Sequence, residues 1–316
     1  MTELLSVRKL YIDSRFSQSG TPSSFEFELP EVLDLPRNTV AYITEFTGVC
    51  AWDTVNDSNY KLYIVEQHSG TNQGHIVELT KQPYDSESLR AELETKLNGS
   101  GKLTGMGTYS VTRTTSAGAT GNASLGAAYR YYSLSVTAGN FWMPSHSQLR
   151  NPGFTSGVWV GTLTGPSYDP KNPQDTNELF NFEDALGDPT NINQTAYLST
   201  HVSSFIDLRS KHSLFVHSPS FGNYTSIGPN GTRTVLAKIP VDSAYGSVIH
   251  FQNAGHVLDY IEVSTRALKS LTFELRDARG NYVSLNGGHW SMTIVSLCSQ
   301  KGQGEKVHRR NGGSEI

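Results

Sequence analysis

The residue types able to do chemistry are plentiful in this chain: ten histidines, two cysteines and 29 acidic side chains among 316 residues. Their spacing decides whether any of them form a site. Histidines two apart on a strand, followed by a Glu, would offer ligands to a transition metal, as in cupin-type sandwiches. No two histidines here stand two apart. His212 and His217 flank a strand at a spacing of five, which turns them to opposite faces. Ser, His and Asp are abundant, but no Gly-x-Ser-x-Gly elbow is present to anchor a hydrolase triad. Neither GxGxxG nor GxxxxGK[ST] occurs.

Three looser groupings remain. Asp277 with Asp207 or Glu274 could be read as paired carboxylates, although a turn residue and a solvated strand face explain them more simply. Trp290 with Tyr11, Tyr42 and Tyr282 could stack on a sugar, but alternation with polar neighbours assigns Trp290 to a core. Lys301, Lys306, Arg309 and Arg310 near the end are diluted by Glu305 and Glu315, the pattern of a solvated terminus and not of a nucleic-acid contact. Cys50 and Cys298 are too few for a disulfide framework or a zinc site and read as buried thiols. No catalytic, cofactor-binding or metal-ligating set is assigned, and no cofactor is expected.

Composition bounds the rest. A net charge of -4 argues against a protein that coats nucleic acid. Only 17% of residues are charged, and Ser, Thr, Asn and 29 Gly fill the gap, a mix that suits strands and turns. No apolar run is long enough for a membrane span. The first residues, MTELLSVRKLYIDSR, lack the apolar core of a signal peptide. Asn-x-Ser/Thr sequons at Asn56, Asn98, Asn122, Asn193, Asn223 and Asn230 are therefore read as turns.

The elements that would position these residues are mostly strands. At 268–297, Leu271, Phe273 and Leu275 alternate with Thr272, Glu274 and Arg276, and Asp277-Ala-Arg-Gly280 supplies a turn in which Gly280 can take a positive φ. Strands at 281–285 and 290–297, separated by Asn286-Gly287-Gly288, complete an expected three-stranded meander. Its apolar face needs a second sheet. Earlier strands are expected at 10–12, 25–30, 40–46, 61–66 and 75–79, with 40–46 inside a sheet because both its faces are largely apolar. Residues 84–98 then change period. Leu89, Leu93 and Leu97 form one stripe, with Asp85 or Ser86 as N-cap, so a single helix is expected to lie flat on a sheet. Strands follow at 108–115, 129–137, 157–163, 204–208, 213–217, 234–239, 248–251 and 258–264.

More than eight strands joined by long loops predict an all-β protein: a single jelly roll of two antiparallel Greek-key sheets with a β-rich insertion carrying one helix. The expected division is 1–80 for the first part of the jelly roll and 81–200 for the insertion with its helix and proline-rich loop. Residues 201–300 form the second part, and 301–316 a disordered tail.

LYIDSR at 10–15, SSFEFELPEVLDLPRNTVAYITEF and KLYIVE resemble the start of the minor capsid, or penton, proteins of polinton-like viruses, adintoviruses and virophages. PYDSESLRAELETKLN, SFIDLRSKHSLFVHSPS, RTVLAKIPVDSAYGSVIHF and LTFELRDARGNYVSLNGGHWSMTI extend the resemblance over most of the chain outside about 139–200. These are strand patterns, and their order and spacing carry the likeness. The resemblance implies a structural virion protein, not an enzyme, made inside the host cell without a signal peptide. It implies a homopentamer at the five-fold vertices of an icosahedral capsid, beside a double-jelly-roll major capsid protein, with no specific nucleic acid bound. A carbohydrate- or receptor-binding β-sandwich is the competing reading.

Overall fold

The computed structural model describes residues 5–36, 39–114, 131–143, 199–202, 208–221, 226–253, 260–263 and 266–299. In chain order these form β1 (Leu5–Asp13), β2 (Ser19–Thr21), β3 (Ser24–Leu35), β4 (Thr39–Val49), β5 (Lys61–His68) and β6 (Thr71–Glu78). Helix α1 (Ser86–Leu97) is followed by β7 (Tyr109–Thr114), β8 (Tyr131–Val136), β9 (Asn140–Trp142) and β10 (Thr200–Val202). The chain continues through β11 (Ser213–His217), β12 (Val235–Pro240), β13 (Val248–Gln252), β14 (Ile261–Glu262), β15 (Arg266–Arg276) and β16 (Trp290–Ser299).

The protein is all-β and antiparallel, built on a jelly-roll sandwich. One sheet runs β1-β16-β4-β13, with β14 also on β4, and the facing sheet runs β12-β11-β15-β3-β2. Successive strands cross from sheet to sheet: β3 to β4, β12 to β13, and β15 to β16. Between them lies one continuous apolar core that includes Phe25, Phe46, Phe273, Leu275 and Trp290. β4 is interior, paired with β16 on one side and with β13 and β14 on the other, as its composition predicts. Its residues nevertheless alternate between buried and half-buried, so only one face is fully in the core.

The expected meander at 268–297 is not formed. β15 and β16 belong to opposite sheets, and 281–285 makes only an isolated bridge, Arg276 to Tyr282. Val283 and Leu285 are buried, which accounts for the strand-like alternation. They close one end of the sandwich as the chain passes between sheets. A period of two reports which side chains face a core; it does not say which strand is the neighbour. The turn chemistry holds, with Gly280 at φ 85° and Asn286-Gly287 at 47° and 83°.

A second core is separate from the first. It gathers Leu62, Ile64, Val77, the three helix leucines, Tyr109, Tyr132 and Phe141. Two three-stranded sheets enclose it, β6-β5-β9 and β10-β8-β7. The strands expected at 61–66 and 75–79 in the first part of the jelly roll therefore lie in this second lobe. β5 pairs with β6 on one side and β9 on the other, and both strands bury apolar side chains in the second core. The strand expected at 157–163, nearly all of that at 204–208 and the tail at 301–316 fall outside the described residues.

Helix α1 is set by its cap. Asp85 accepts from the N–H groups of Glu87 and Ser88, and Ser88 Oγ accepts from the Asp85 N–H, a reciprocal capping box. The helix buries Leu89, Leu93 and Leu97, and it also covers the open edge of β7. Asn98 takes the N–H of Tyr109 at 2.8 Å and donates to its carbonyl at 2.8 Å. Glu94 takes the N–H of Val111 and Arg90 donates to its carbonyl. An edge strand that would otherwise present unpaired backbone groups is thereby satisfied by helix side chains. Replacing Asp85 by alanine is expected to cost about 0.5–2 kcal/mol, measurable as a lowered midpoint in urea. Retained stability would mean that Ser86 can cap in its place.

Inside the lobe, Glu66 is fully buried, accepting from the Leu103 N–H at 2.6 Å and the Tyr109 hydroxyl at 2.8 Å. Burial, reinforced by the adjacent carboxylate, pushes the Tyr109 phenol far above its ordinary range, so it stays a hydrogen-bond donor.

Candidate functional site

The lobe is joined to the sandwich by the chain leaving β4 and the chain entering β11. Ser210 Oγ donates to the Asp53 carbonyl at 3.1 Å and holds the two crossings together. Beside them a cleft of about 430 Å³ is lined by Asp53, Asn56, Lys81, Lys211, Asp277 and Tyr282, among others. Its lining is polar and carries several titratable groups.

Those groups are matched to one another. Lys211 Nζ lies 2.8 Å from Asp277 Oδ2, with side chains 11% and 10% exposed. The other oxygen of Asp277 accepts the N–H groups of Arg279 (2.9 Å) and Asn281 (3.0 Å), which shapes the turn after β15. Asn286 donates to the Ala51 carbonyl and to Asp53 Oδ1. Lys81 pairs with Asp57 and sits 4.3 Å above the Tyr60 ring. Arg276 stacks on Tyr282 at 4.5 Å and donates to Glu274. Each carboxylate is held by a cation or an amide, so the cleft presents no pair of carboxylates sharing a proton.

The residues singled out in the sequence are scattered. Asp277 is a turn residue as expected, but it is buried and not solvated. Glu274 points to Arg276 and Tyr282, and Asp207 lies outside the described residues. Trp290 is in the core, 5.4 Å from both the Phe25 and Phe46 rings. Tyr42 packs on Tyr260, whereas Tyr11 is exposed on β1 and Tyr282 is exposed at the cleft, so no shared aromatic platform arises. Cys50 is buried, its thiol pushed up by that burial, and no disulfide joins it to Cys298. Among the described residues no group of three or more His, Cys, Asp or Glu is placed to hold a metal. The Lys211–Asp277 pair was not visible in the sequence; its partners stand far apart, and neither carries a motif.

His212 is exposed and His217 buried, its Nδ1 2.9 Å from Thr234 Oγ1. Burial, with Arg276 adding to it against a smaller pull from Glu274, holds the His217 imidazole below the ordinary histidine range. The unfolded chain therefore takes up that proton first. Its contribution to stability is complete above the unfolded pKa of about 6.5 and is lost as the pH falls through the folded value. Thermal melts should show a steeper loss below about pH 6.5 for the wild type than for His217→Gln. Superimposable profiles would refute this.

No family model and no curated protein sequence matches the chain. Among solved structures, the crystal structure of a selenomethionine-labelled mavirus penton protein superposes with a TM-score of 0.51. The match covers 94% of this chain and 100% of that one, at 10% identity. The fold is penton-like. The penton-like likeness spans both lobes and is one of fold alone, since the side chains of the two proteins differ almost everywhere.

Proposed function

We propose that this chain is a structural virion protein, a minor capsid (penton) subunit that forms homopentamers at the five-fold vertices of an icosahedral capsid. The observation that carries this reading is the ten-stranded jelly-roll sandwich with a second lobe inserted between β4 and β11, in a chain whose fold is similar to that of a penton protein over 94% of its length. The lobe is the segment that follows β4 and returns before β11, and the sandwich supplies the packing unit. Both cores are filled by apolar side chains, and the cleft between them is occupied by internal ion pairs, which suits a building block better than a catalyst. A double-jelly-roll major capsid protein is the neighbour this role requires.

A carbohydrate- or receptor-binding module is the second reading, favoured by the polar cleft with Tyr282 exposed at its margin. Co-assembly separates the two. The chain should sediment with particles formed by the major capsid protein expressed beside it and show no sugar-dependent retention on a glycan array. Exclusion from particles together with saturable glycan binding would reverse the assignment.

A further inference from the structure

Where glycine follows asparagine, no side chain shields the backbone nitrogen that can attack the asparagine amide. The chain has four such pairs, at Asn98, Asn230, Asn286 and Asn311. Asn311 lies outside the described residues. In two of the other three the nitrogen is engaged: the Gly99 N–H donates to the Lys96 carbonyl and the Gly231 N–H to the Gly228 carbonyl, each at 3.1 Å. The Gly287 N–H has no partner among the described residues. Gly287 is exposed, and beyond its chain neighbours nothing comes within 4 Å of where a Cβ would stand.

The Asn286 amide is held at both ends. Ser284 Oγ donates to Asn286 Oδ1 at 3.0 Å. Asn286 Nδ2 donates to the Ala51 carbonyl at 2.8 Å and to Asp53 Oδ1 at 3.1 Å. The serine hydroxyl thus sits on the oxygen that becomes negative when the amide carbon is attacked, where a donor lowers the barrier. At Asn98 the same oxygen takes the Tyr109 N–H, but there the attacking nitrogen is bonded elsewhere.

We propose that Asn286 is a self-modifying residue, converting to aspartate and isoaspartate in the folded protein. The Gly287 nitrogen gives its proton to water and bonds to Asn286 Cγ. The Cγ–Nδ2 bond breaks, and Nδ2 takes a proton from water and leaves as ammonia. A second water opens the resulting five-membered imide at either of its carbonyls and leaves a carboxylate at position 286. No oxidation or reduction is involved. The consequence lies in the partners that Asn286 holds. A carboxylate has no proton for the Ala51 carbonyl, and it sets a second negative charge against Asp53. The turn between β15 and β16 then releases the chain that leaves β4 for the second lobe. The change runs one way, and it does not depend on the vertex reading.

Peptide mapping by mass spectrometry tests this on the folded protein held warm in mildly alkaline buffer, with fragmentation that separates aspartate from isoaspartate. Conversion is expected at Asn286 ahead of Asn98 and Asn230, with ammonia released in step. Ser284→Ala should slow it by about tenfold, less than the roughly hundredfold lost with a shielded oxyanion donor, because Ser284 is exposed. Circular dichroism melts matching the wild type show that this variant folds. Asn286→Asp carries the product from the start. It should speed amide exchange several-fold at Cys50 and Val55, whose N–H groups are bonded to Ser247 and Gln82 on either side of the released stretch. An Asn286 that stays intact, or that converts no sooner than Asn98 and Asn230, would overturn the proposal. A Ser284→Ala rate equal to wild type would do the same. Unchanged exchange at Cys50 and Val55 in Asn286→Asp would overturn the release.

Discussion

Replacing Trp290 by alanine is expected to destabilise the protein by about 3–5 kcal/mol. The indole is 2% exposed and lies between the sheets, tilted against Phe25 of the facing sheet and stacked on Phe46 of its own. Phe25 in turn meets Phe273, so one side chain holds an aromatic run that crosses the sandwich. The indole N–H donates to the Pro22 carbonyl at 2.6 Å, which would lose its partner as well. Relaxation around the hole is limited on one side, because Gly48 already brings β4 close to the Trp290 Cβ. Chemical denaturation measures the loss. An unchanged midpoint would place the ring on the surface and restore a sugar-stacking role to it.

Asp277→Ala should cost a similar amount, about 3–5 kcal/mol. The substitution leaves the Lys211 ammonium, mostly shielded from water, without its counter-charge at the junction of lobe and sandwich. It also removes the acceptor for two backbone N–H groups of the turn. Adding Lys211→Met should recover part of the loss, because an absent pair is cheaper than a broken one. The double variant stays below wild type by the turn's share. A single-variant effect under about 1 kcal/mol would mean that water reaches the pair and that the junction is held by other contacts.

Much of the fold could be read from local pattern. Phe25, Leu271, Phe273, Leu275, Met292 and Ile294 are core residues where alternation puts them, and Asp85 caps the helix whose leucines share one face. Pairing was harder to read. The strand at 281–285 looked like the middle of a meander because Val283 and Leu285 are buried, yet they plug an end of the sandwich. β5 and β6 have ordinary strand patterns, and nothing in them tells which of two cores they fill. The covering of β7 by Asn98, Glu94 and Arg90 was also hidden, since polar side chains on an exposed helix face usually meet only solvent. The cleft depends on Asp53, Lys211 and Asp277, which meet only after the chain has crossed both lobes.

A penton is defined by its position in an assembly, which an icosahedral reconstruction of the particle by electron cryomicroscopy reads. Density for this jelly roll and its second lobe is expected at every five-fold vertex, five copies to a ring. The chain in rings of three or six, at other positions of the shell, or absent from it would rule out the penton role.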